Sequence, residues 1–229
     1  MKAIVLAAGR GERMRPITDN IPKPLVPVAG KPLIAYHLES LARAGVRDVV
    51  INLSYRGSQI SDTLGDGSQF GVRITYSDEG PVALETGGGI FKALPLLGPE
   101  PFLVVNGDIW TDFDFSELSL DPGSHARLVL VPNPPHQPRG DFGLDNEFVT
   151  DKTDRQRYTY SGIGVYSPGF FQGSTPGKFP LLPLLKRAIA GHRLRGQVYP
   201  GDWFDIGTPE RLAELEARLL MAIAANRAV

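Results

Sequence analysis

The stretch KAIVLAAGRGERMRPIT, residues 2–18, decides the fold of this chain. Its first part, residues 3–8, is a continuous apolar run bounded by Lys2 and Gly9, which is typical of a strand buried on both faces in a parallel sheet. The segment that follows, residues 9–28, is too rich in glycine, proline and charge to form a helix. A buried strand that runs into a glycine-rich loop is typical of α/β proteins whose backbone N–H groups bind phosphate.

Strand and helix patterns then alternate along the rest of the chain. Apolar runs predict strands at 49–53, 72–76, 102–106, 128–131, 159–166 and 194–199, and helical periodicity predicts helices at 32–42, 58–64, 181–190 and from Pro209 onward. The final helix is expected to bury one apolar face made of Leu212, Leu215, Leu219 and Leu220. The triplet at 87–89 is expected to lead into a short helix that begins at Ile90 and that Pro95 ends. This alternation predicts an α/β fold with a parallel sheet, in which ligands bind at the carboxyl ends of the strands.

The composition excludes several classes of function. The 24 basic and 25 acidic residues give a formal net charge of −1, without the basic excess that nucleic-acid binders show, although a local basic cluster could still bind a polyanionic small molecule. The absence of cysteine removes disulfides, thiolate metal sites and cysteine nucleophiles. No apolar run approaches the roughly 20 residues of a membrane span. We therefore expect a soluble, cytoplasmic protein that binds neither nucleic acid nor membrane.

The loop after the first strand carries the strongest signal of a phosphate site. It holds three arginines, Arg10, Arg13 and Arg15, within six residues, and guanidinium groups together with backbone amides match a triphosphate. It is not the dinucleotide fingerprint, because Met14 occupies the third glycine position, and no Gly-Lys-Ser/Thr follows as in a P-loop. The alternative is a solvated basic turn.

A lysine close to this loop is held between two prolines. Pro22 and Pro24 fix the backbone around Lys23, which would keep its ammonium group in place beside a phosphate. Such a charge could neutralise charge that develops at phosphorus. A rigid surface turn explains the same residues equally well.

Two aspartates are candidates for a divalent metal ion. Asp108 follows the strand at 102–106 and should therefore point into the ligand crevice, where a carboxylate could hold Mg²⁺. Asp205 lies between apolar neighbours, so it must be paired, capped or bound to metal. Thr208 is better placed than Asp205 to cap the last helix, but Arg211 stands where a capping box would have Glu or Gln.

Other motifs are weaker. The pair Asp112 and Asp114 mimics the D-x-D of nucleotide-sugar glycosyltransferases, a triplet that is common by chance. His37 lies on an apolar helix face and is expected to be a packing residue. No G-x-S-x-G is present, so a serine hydrolase has no support.

Taken together, these residues resemble the sugar-phosphate nucleotidyltransferases. The family signature L-A-A-G-x-G-x-R-M-x-P-x-T followed by P-K-P-L-V-P-V stands here at residues 6–18 and 22–28, and Gly-Asp at 107–108 and FDIGTP at 204–209 also match. The resemblance spans essentially the whole chain. It implies a Rossmann-like α/β/α sandwich with a mostly parallel central sheet, in a single domain over 1–229. Nucleotide would bind to about residues 1–110 and sugar to about residues 111–229.

The resemblance also implies roles for individual residues. An NTP and a sugar 1-phosphate would give an NDP-sugar and pyrophosphate, with Arg13 and Lys23 as the catalytic cations and Asp108 and Asp205 holding Mg²⁺. The nucleotide would contact Ala8, Gly9, Gly11, Arg13, Lys23, Glu79, Thr86 and Gly87. The sugar would contact Asn106, Asp141, Gly162 and Lys178, and Arg139 could pair with a carboxylate on the sugar.

The exact substrates are a finer question. Within the family, ETGGGI at 85–90, VNGDIWTD at 105–112 and RGDF at 139–142 are most similar to members that transfer uridylyl groups to N-acetylmuramic acid α-1-phosphate in bacterial cell-wall recycling. A carboxylate at Glu79 could accept one hydrogen bond from uracil or two from guanine, so a mannose-1-phosphate guanylyltransferase is an alternative. A glycosyltransferase and a non-catalytic nucleotide-sensing relative are further alternatives. The sequence leaves the oligomeric state open, a monomer included.

Overall fold

The architecture was obtained as a computed structural model that describes residues 1–227. Its strands are β1 (Lys2–Leu6), β2 (Pro27–Val28), β3 (Lys31–Pro32), β4 (Asp48–Leu53), β5 (Arg73–Asp78), β6 (Phe102–Asn106), β7 (Ile109–Thr111), β8 (Ala126–Val131), β9 (Phe142–Asp145), β10 (Phe148–Thr150), β11 (Arg157–Tyr166), β12 (Leu194–Val198) and β13 (Trp203–Asp205). Its helices are α1 (Leu33–Arg43), α2 (Gly57–Leu64), α3 (Glu85–Leu97), α4 (Leu182–Ala190) and α5 (Pro209–Arg227).

One nine-stranded sheet runs through residues 1–227 in the order β5-β4-β1-β6-β11-β8-β12-β10-β9. The four strands from the first half of the chain, β5, β4, β1 and β6, are all parallel. Strand β11 is antiparallel to β6 and β8, and β10 is antiparallel to β12 and β9. The sheet is therefore parallel from β5 to β6 and mixed from β11 to β9.

Alternate side chains of the strands feed two separate cores, one on each face of the sheet. On β1, Val5 belongs to the core that α1 and α2 cover, whereas Ile4 belongs to the core that α3 and α4 cover. This two-residue alternation buries both faces and explains the continuous apolar run of the strand. The arrangement is the expected α/β/α sandwich.

A third, smaller core ties the two ends of the chain together. Met14 of the glycine-rich loop is fully buried against Ile206 and Leu215, the latter on α5. The final helix is therefore packed beside the loop that was expected to bind phosphate. On that helix Leu220 is 52% exposed, so its assignment to the buried face was wrong.

The start of α3 differs from the expectation. The helix begins at Glu85, so the glycine triplet lies inside it, and it continues through Pro95 to Leu97. The glycines are there because other parts of the chain come very close. A Cβ on Gly88 would collide with the carbonyl oxygen of Gly177, and one on Gly89 with Glu79 Oε1. Close packing outweighs the weak helix propensity of glycine here.

Among residues 1–227, none of the helices combines the length and the apolar character that crossing a bilayer requires.

Candidate active site

A cavity of about 500 Å³ opens at the carboxyl ends of β1, β4 and β6. Its wall is formed by the glycine-rich loop, the start of α3 and the turn after β6, at the strand ends where ligands were expected to bind. The lining residues are Leu6, Ala7, Gly9, Arg10, Gly11, Glu12, Arg13, Lys23, Pro24, Asn52, Ala83, Glu85, Thr86, Asn106, Gly107, Asp108 and Gly207. The cavity therefore collects most of the residues expected to contact a nucleotide.

The glycine-rich loop folds back on itself at Gly11. This residue has a φ of +66°, which only glycine adopts freely, and a Cβ added to it would lie 3.1 Å from Lys23 Cβ and 3.0 Å from Thr18 Cγ2. The Thr18 hydroxyl donates to the Gly11 carbonyl over 2.8 Å. The loop is thereby closed against Lys23, and the exposed side chains of Arg10 and Arg13 line the cavity.

Lys23 is buried at the cavity wall and forms an ion pair. Its side chain is 8% exposed, and its Nζ lies 2.8 Å from Oδ2 of Asp108, whose side chain is 43% exposed. A buried ammonium is costly unless it is paired, so Asp108 compensates a charge that would otherwise be unfavourable. The pair presents one cation and one anion to the same cavity.

The turn that carries Asp108 is held from three sides. Gly107 donates its N–H to the Leu6 carbonyl over 2.9 Å, and Ile206 donates its N–H to the Asp108 carbonyl over 2.9 Å. On the third side, Nε2 of the buried His37 donates to the Ile109 carbonyl over 2.8 Å. Burial lowers the pKa of His37 to about 4, so the ring is neutral near pH 7. His37 is thus a packed residue, as expected, and it also fixes the backbone next to Asp108.

The backbone of Asp205 is adjacent to that of Asp108, but the Asp205 side chain points towards Arg211. In the β7–β13 ladder Asp205 is opposite Ile109. Its Oδ2 lies 2.5 Å from Nη1 of Arg211 and 3.4 Å from Nε2 of His136. The two aspartates therefore each face a cation in this structure, as the burial argument for Asp205 required.

The donor set fits Mg²⁺ if the substrates complete it. Within residues 1–227, no group of three or more acidic or histidine side chains forms a ready-made metal cage. Mg²⁺ is commonly held by one or two carboxylates together with water and substrate phosphates. Asp108 lines the cavity and offers one hard oxygen donor there, whereas the Asp205 carboxylate faces Arg211 in a neighbouring cavity and would have to leave Arg211 to join the same ion.

Glu79 is buried behind the cavity and is already hydrogen-bonded. Asn52 Nδ2 donates to its Oε1 over 2.6 Å, and Leu84 N–H donates to its Oε2 over 2.6 Å. The Asn52 amide oxygen in turn accepts from the Ala7 N–H over 2.7 Å. Asn52 lines the cavity, whereas Glu79 does not. The Glu79 carboxylate therefore supports the strand ends and the start of α3.

The residues expected to bind sugar fall into two groups. Asn106 lines the cavity, and Gly162 (φ +81°) packs against it so closely that a Cβ would lie 2.6 Å from Asn106 Nδ2. Lys178 Nζ lies 3.6 Å from Oε1 of Glu85 at the cavity rim. These three residues are thus at or beside the cavity.

Asp141 and Arg139 are placed differently. The Asp141 carboxylate accepts from Gln137 Nε2 over 2.7 Å and from the Tyr160 N–H over 2.8 Å, so its oxygens hold a loop together. Arg139 is exposed and does not line the cavity.

The D-x-D pair has local structural roles. Asp112 Oδ1 accepts from the Tyr199 hydroxyl over 2.5 Å, and Asp114 Oδ1 accepts from the Ser116 N–H over 2.9 Å and caps a short 3-10 helix. The two carboxylates therefore do not act together on one ligand, which removes the sequence basis for a glycosyltransferase.

Two residues at this site were missed by the sequence reasoning. Asn52 ends an apolar strand, and the rule that ligands bind at the carboxyl ends of strands could have found it. Arg211 was noticed only because it replaces the Glu or Gln of a capping box. A cation at that position near a helix N-terminus could have been recognised as a candidate anion-binding residue.

Fold and cavity together define an α/β enzyme that handles phosphorylated small molecules at the carboxyl edge of its sheet. A family model described as nucleotidyl transferase matches residues 2–221. The chain belongs to the nucleotidyl transferase family, as the sequence resemblance implied.

Two relatives that match this chain over nearly its full length share one name within the family. The chain is 51% identical to the N-acetylmuramate alpha-1-phosphate uridylyltransferase of Neisseria meningitidis serogroup B, over 95% of this chain and 97% of the relative. It is 36% identical to the protein of the same name from Caulobacter vibrioides, over 96% of this chain and 97% of the relative. A crystal structure of HddC from Yersinia pseudotuberculosis complexed with GMP-PN superposes with a TM-score of 0.77 at 25% identity, covering 95% of this chain and 99% of that one.

Proposed function

We propose that this nucleotidyltransferase transfers a uridylyl group from UTP to N-acetylmuramic acid α-1-phosphate, with release of pyrophosphate. The observation that carries the proposal is the ion pair between the buried Lys23 and the partly exposed Asp108, in a cavity that also presents Arg13 and the glycine-rich loop. The identity of 51% to a relative named for this reaction supports the choice of substrates. The product would serve a bacterial cell-wall recycling route in the cytoplasm.

The reaction brings two anions together, so positive charge and alignment are what the protein must supply. The amides of residues 9–11 and Arg13 would hold the β- and γ-phosphates, which leave as pyrophosphate. Lys23 would lie at the α-phosphate and at the attacking oxygen of the sugar phosphate. No covalent intermediate is required.

Asp108 and Asp205 would hold Mg²⁺. When bound, the ion neutralises phosphate charge and helps to align the reactants. Lys23 and Arg211 now pair with these carboxylates, so binding of metal and phosphates would exchange these ion pairs for contacts to the substrate.

The choice of base does not follow from Glu79 alone. Its two carboxylate oxygens already accept hydrogen bonds from the protein, which weakens the argument that they read guanine. The cavity wall instead presents Asn52, Ala83 and Thr86 on the side of α3. Because the case for guanine is weakened, mannose-1-phosphate guanylyl transfer ranks second behind uridylyl transfer.

One assay tests the proposal. Pyrophosphate release is measured from UTP and from GTP with N-acetylmuramic acid, N-acetylglucosamine and mannose 1-phosphates, each at the same concentration. We expect the highest kcat/KM for UTP with the muramic acid derivative. Preference for GTP and mannose 1-phosphate would establish the second candidate instead, and absence of release with every pair would contradict catalysis.

Arg139 tests the sugar assignment separately. If it pairs with the lactyl carboxylate, Arg139→Ala should raise the KM for muramic acid 1-phosphate and leave that for N-acetylglucosamine 1-phosphate unchanged. The control is Arg155→Ala, an exposed arginine beside Asp145. Equal losses for both sugars would remove Arg139 from the site.

A further inference from the structure

Arg211 lines a neighbouring cavity and approaches Arg13, which lines the active-site cavity, across Gly207. Gly207 lies between β13 and α5, and a Cβ placed on it would collide with Nη2 of Arg211 and lie 3.1 Å from Nη2 of Arg13. The two guanidinium groups therefore both approach the backbone of Gly207, which has no side chain to separate them. Gly207 lines the cavity, and so does Arg13.

The charges of the two arginines are unequally compensated. Nη1 of Arg211 is bonded to Asp205 over 2.5 Å and to His136 Nε2 over 2.8 Å, which leaves Nη2 on the side of Arg13. Arg13 pairs with no carboxylate in the part of the chain that the structure describes. Two nearby cations repel each other, and an anion between them removes that repulsion.

The position of Arg211 on its helix strengthens the case. It is the third residue of α5, close to the helix N-terminus, where the helix dipole favours acidic side chains and disfavours cations. The adjacent Glu210 shows the usual preference, and hydrogen bonding to Thr208 lowers its pKa. A cation at this position does not serve the helix, but it adds to a site at which a bound anion would be stabilised.

We propose that Arg211 and Arg13 bind the same terminal phosphate of the nucleotide, which leaves within pyrophosphate, and that Asp205 holds Arg211 beside Arg13 until the substrates enter. The inference rests on the proposed nucleotidyl transfer. The nucleotide phosphates are favoured over the sugar phosphate because Arg13 belongs to the glycine-rich loop. A guanidinium presents planar, paired donors, which suits shared contact with one phosphate.

Calorimetric binding of inorganic pyrophosphate tests the site directly. Binding is measured for the full chain and for Arg211→Ala, Arg211→Lys and Arg218→Ala, with Mg²⁺ and again in EDTA. Arg218 is the matched control, because it lies two turns further along α5 and pairs with Asp202. Melting temperatures show that each variant is folded.

We expect Arg211→Ala to weaken pyrophosphate binding by about tenfold or more under both conditions, since a charge-assisted contact is lost. Arg211→Lys should recover part of the affinity, and Arg218→Ala should change it by about twofold at most. Equal effects of Arg211→Ala and Arg218→Ala would overturn the proposal. A loss seen only with Mg²⁺ would also overturn it, because Arg211 would then act through Asp205 alone.

Kinetics and a double variant decide whether the two arginines share one phosphate. Arg13→Ala combined with Arg211→Ala should lose less affinity than the product of the single losses, because the second contact is already impaired. Independent losses, or a rise confined to the KM for sugar 1-phosphate, would contradict the assignment. Pyrophosphate binding is measured without turnover, so a failure of the proposed reaction would be seen in the substrate panel and not confused with this result.

Discussion

Lys23 and Asp108 lie 85 residues apart in the sequence and are joined by a 2.8 Å ion pair in the wall of the cavity. The lysine comes from a proline-flanked turn and the aspartate from the end of a central strand, so neither could find its partner through local structure. Because the lysine side chain is buried, the two charges depend on one another, and under the proposed function phosphates and metal would take their place. This dependence gives the predictions below their direction.

Lys23→Ala should lower kcat by about 10²–10³, the usual loss when one preorganised charge is removed from developing negative charge. Pyrophosphate release under saturating substrates measures the effect. Lys31→Ala is the control, because Lys31 also forms a short ion pair, 2.6 Å from Glu39, but lies outside the cavity. Near-normal turnover of Lys23→Ala would refute its role.

Asp108→Asn keeps the shape of the side chain and removes its charge. We expect the Mg²⁺ concentration for half-maximal rate to rise by about tenfold or more, because a carboxylate ligand is lost. Asp112→Asn is the matched control, since Asp112 bonds to Tyr199 and is not at the cavity. An unchanged Mg²⁺ requirement would show that Asp108 serves only to balance Lys23.

Gly89→Ala should destabilise the fold by about 1–3 kcal/mol, as overpacking of a filled interior does. The added methyl group would meet Glu79 Oε1 and would lie 2.9 Å from Asn52 Nδ2, which breaks the network behind the cavity. Urea unfolding measures the change. Gly169→Ala should be nearly neutral, because its added Cβ would lie an ordinary 3.6 Å from Ser167 Oγ. Equal stability of the two variants would contradict this account.

His37 should make folding stability depend on pH. Burial lowers the pKa of His37 from 6.5 to about 4. Below pH 6.5 the imidazole of the unfolded chain therefore binds a proton that the folded protein binds only near pH 4. Stability should therefore fall as the pH drops from 6.5 towards 4, by about 3 kcal/mol in all for this group.

His37→Gln provides the comparison. Glutamine can still donate to the Ile109 carbonyl but does not titrate, so its unfolding free energy should change less between pH 7 and pH 4.5 than that of the natural protein. Denaturant unfolding at each pH measures the difference. Parallel curves for both proteins would count against a buried, neutral histidine.

Much of the fold was accessible from local patterns. The run at 102–106 matches β6 residue for residue, and the helix predicted at 32–42 matches α1 to within one residue at each end. The start of α3 was missed because glycines read as helix breakers, whereas here they admit Glu79 and Gly177 at close range. The short strands β7 and β13 were missed as well, since three residues carry too little periodicity to be recognised.

The sequence by itself determined the α/β class, the loops that form the cavity and the candidate catalytic residue types, because hydrophobic alternation, turn chemistry and the family motif are properties of neighbouring residues. Only the tertiary structure decided which charges meet. It joined Lys23 to Asp108, turned Asp205 towards Arg211 and brought Arg211 to Arg13 over Gly207. Those contacts depend on strand order and on how α5 packs against the first loop, and such long-range geometry leaves no local trace in the chain.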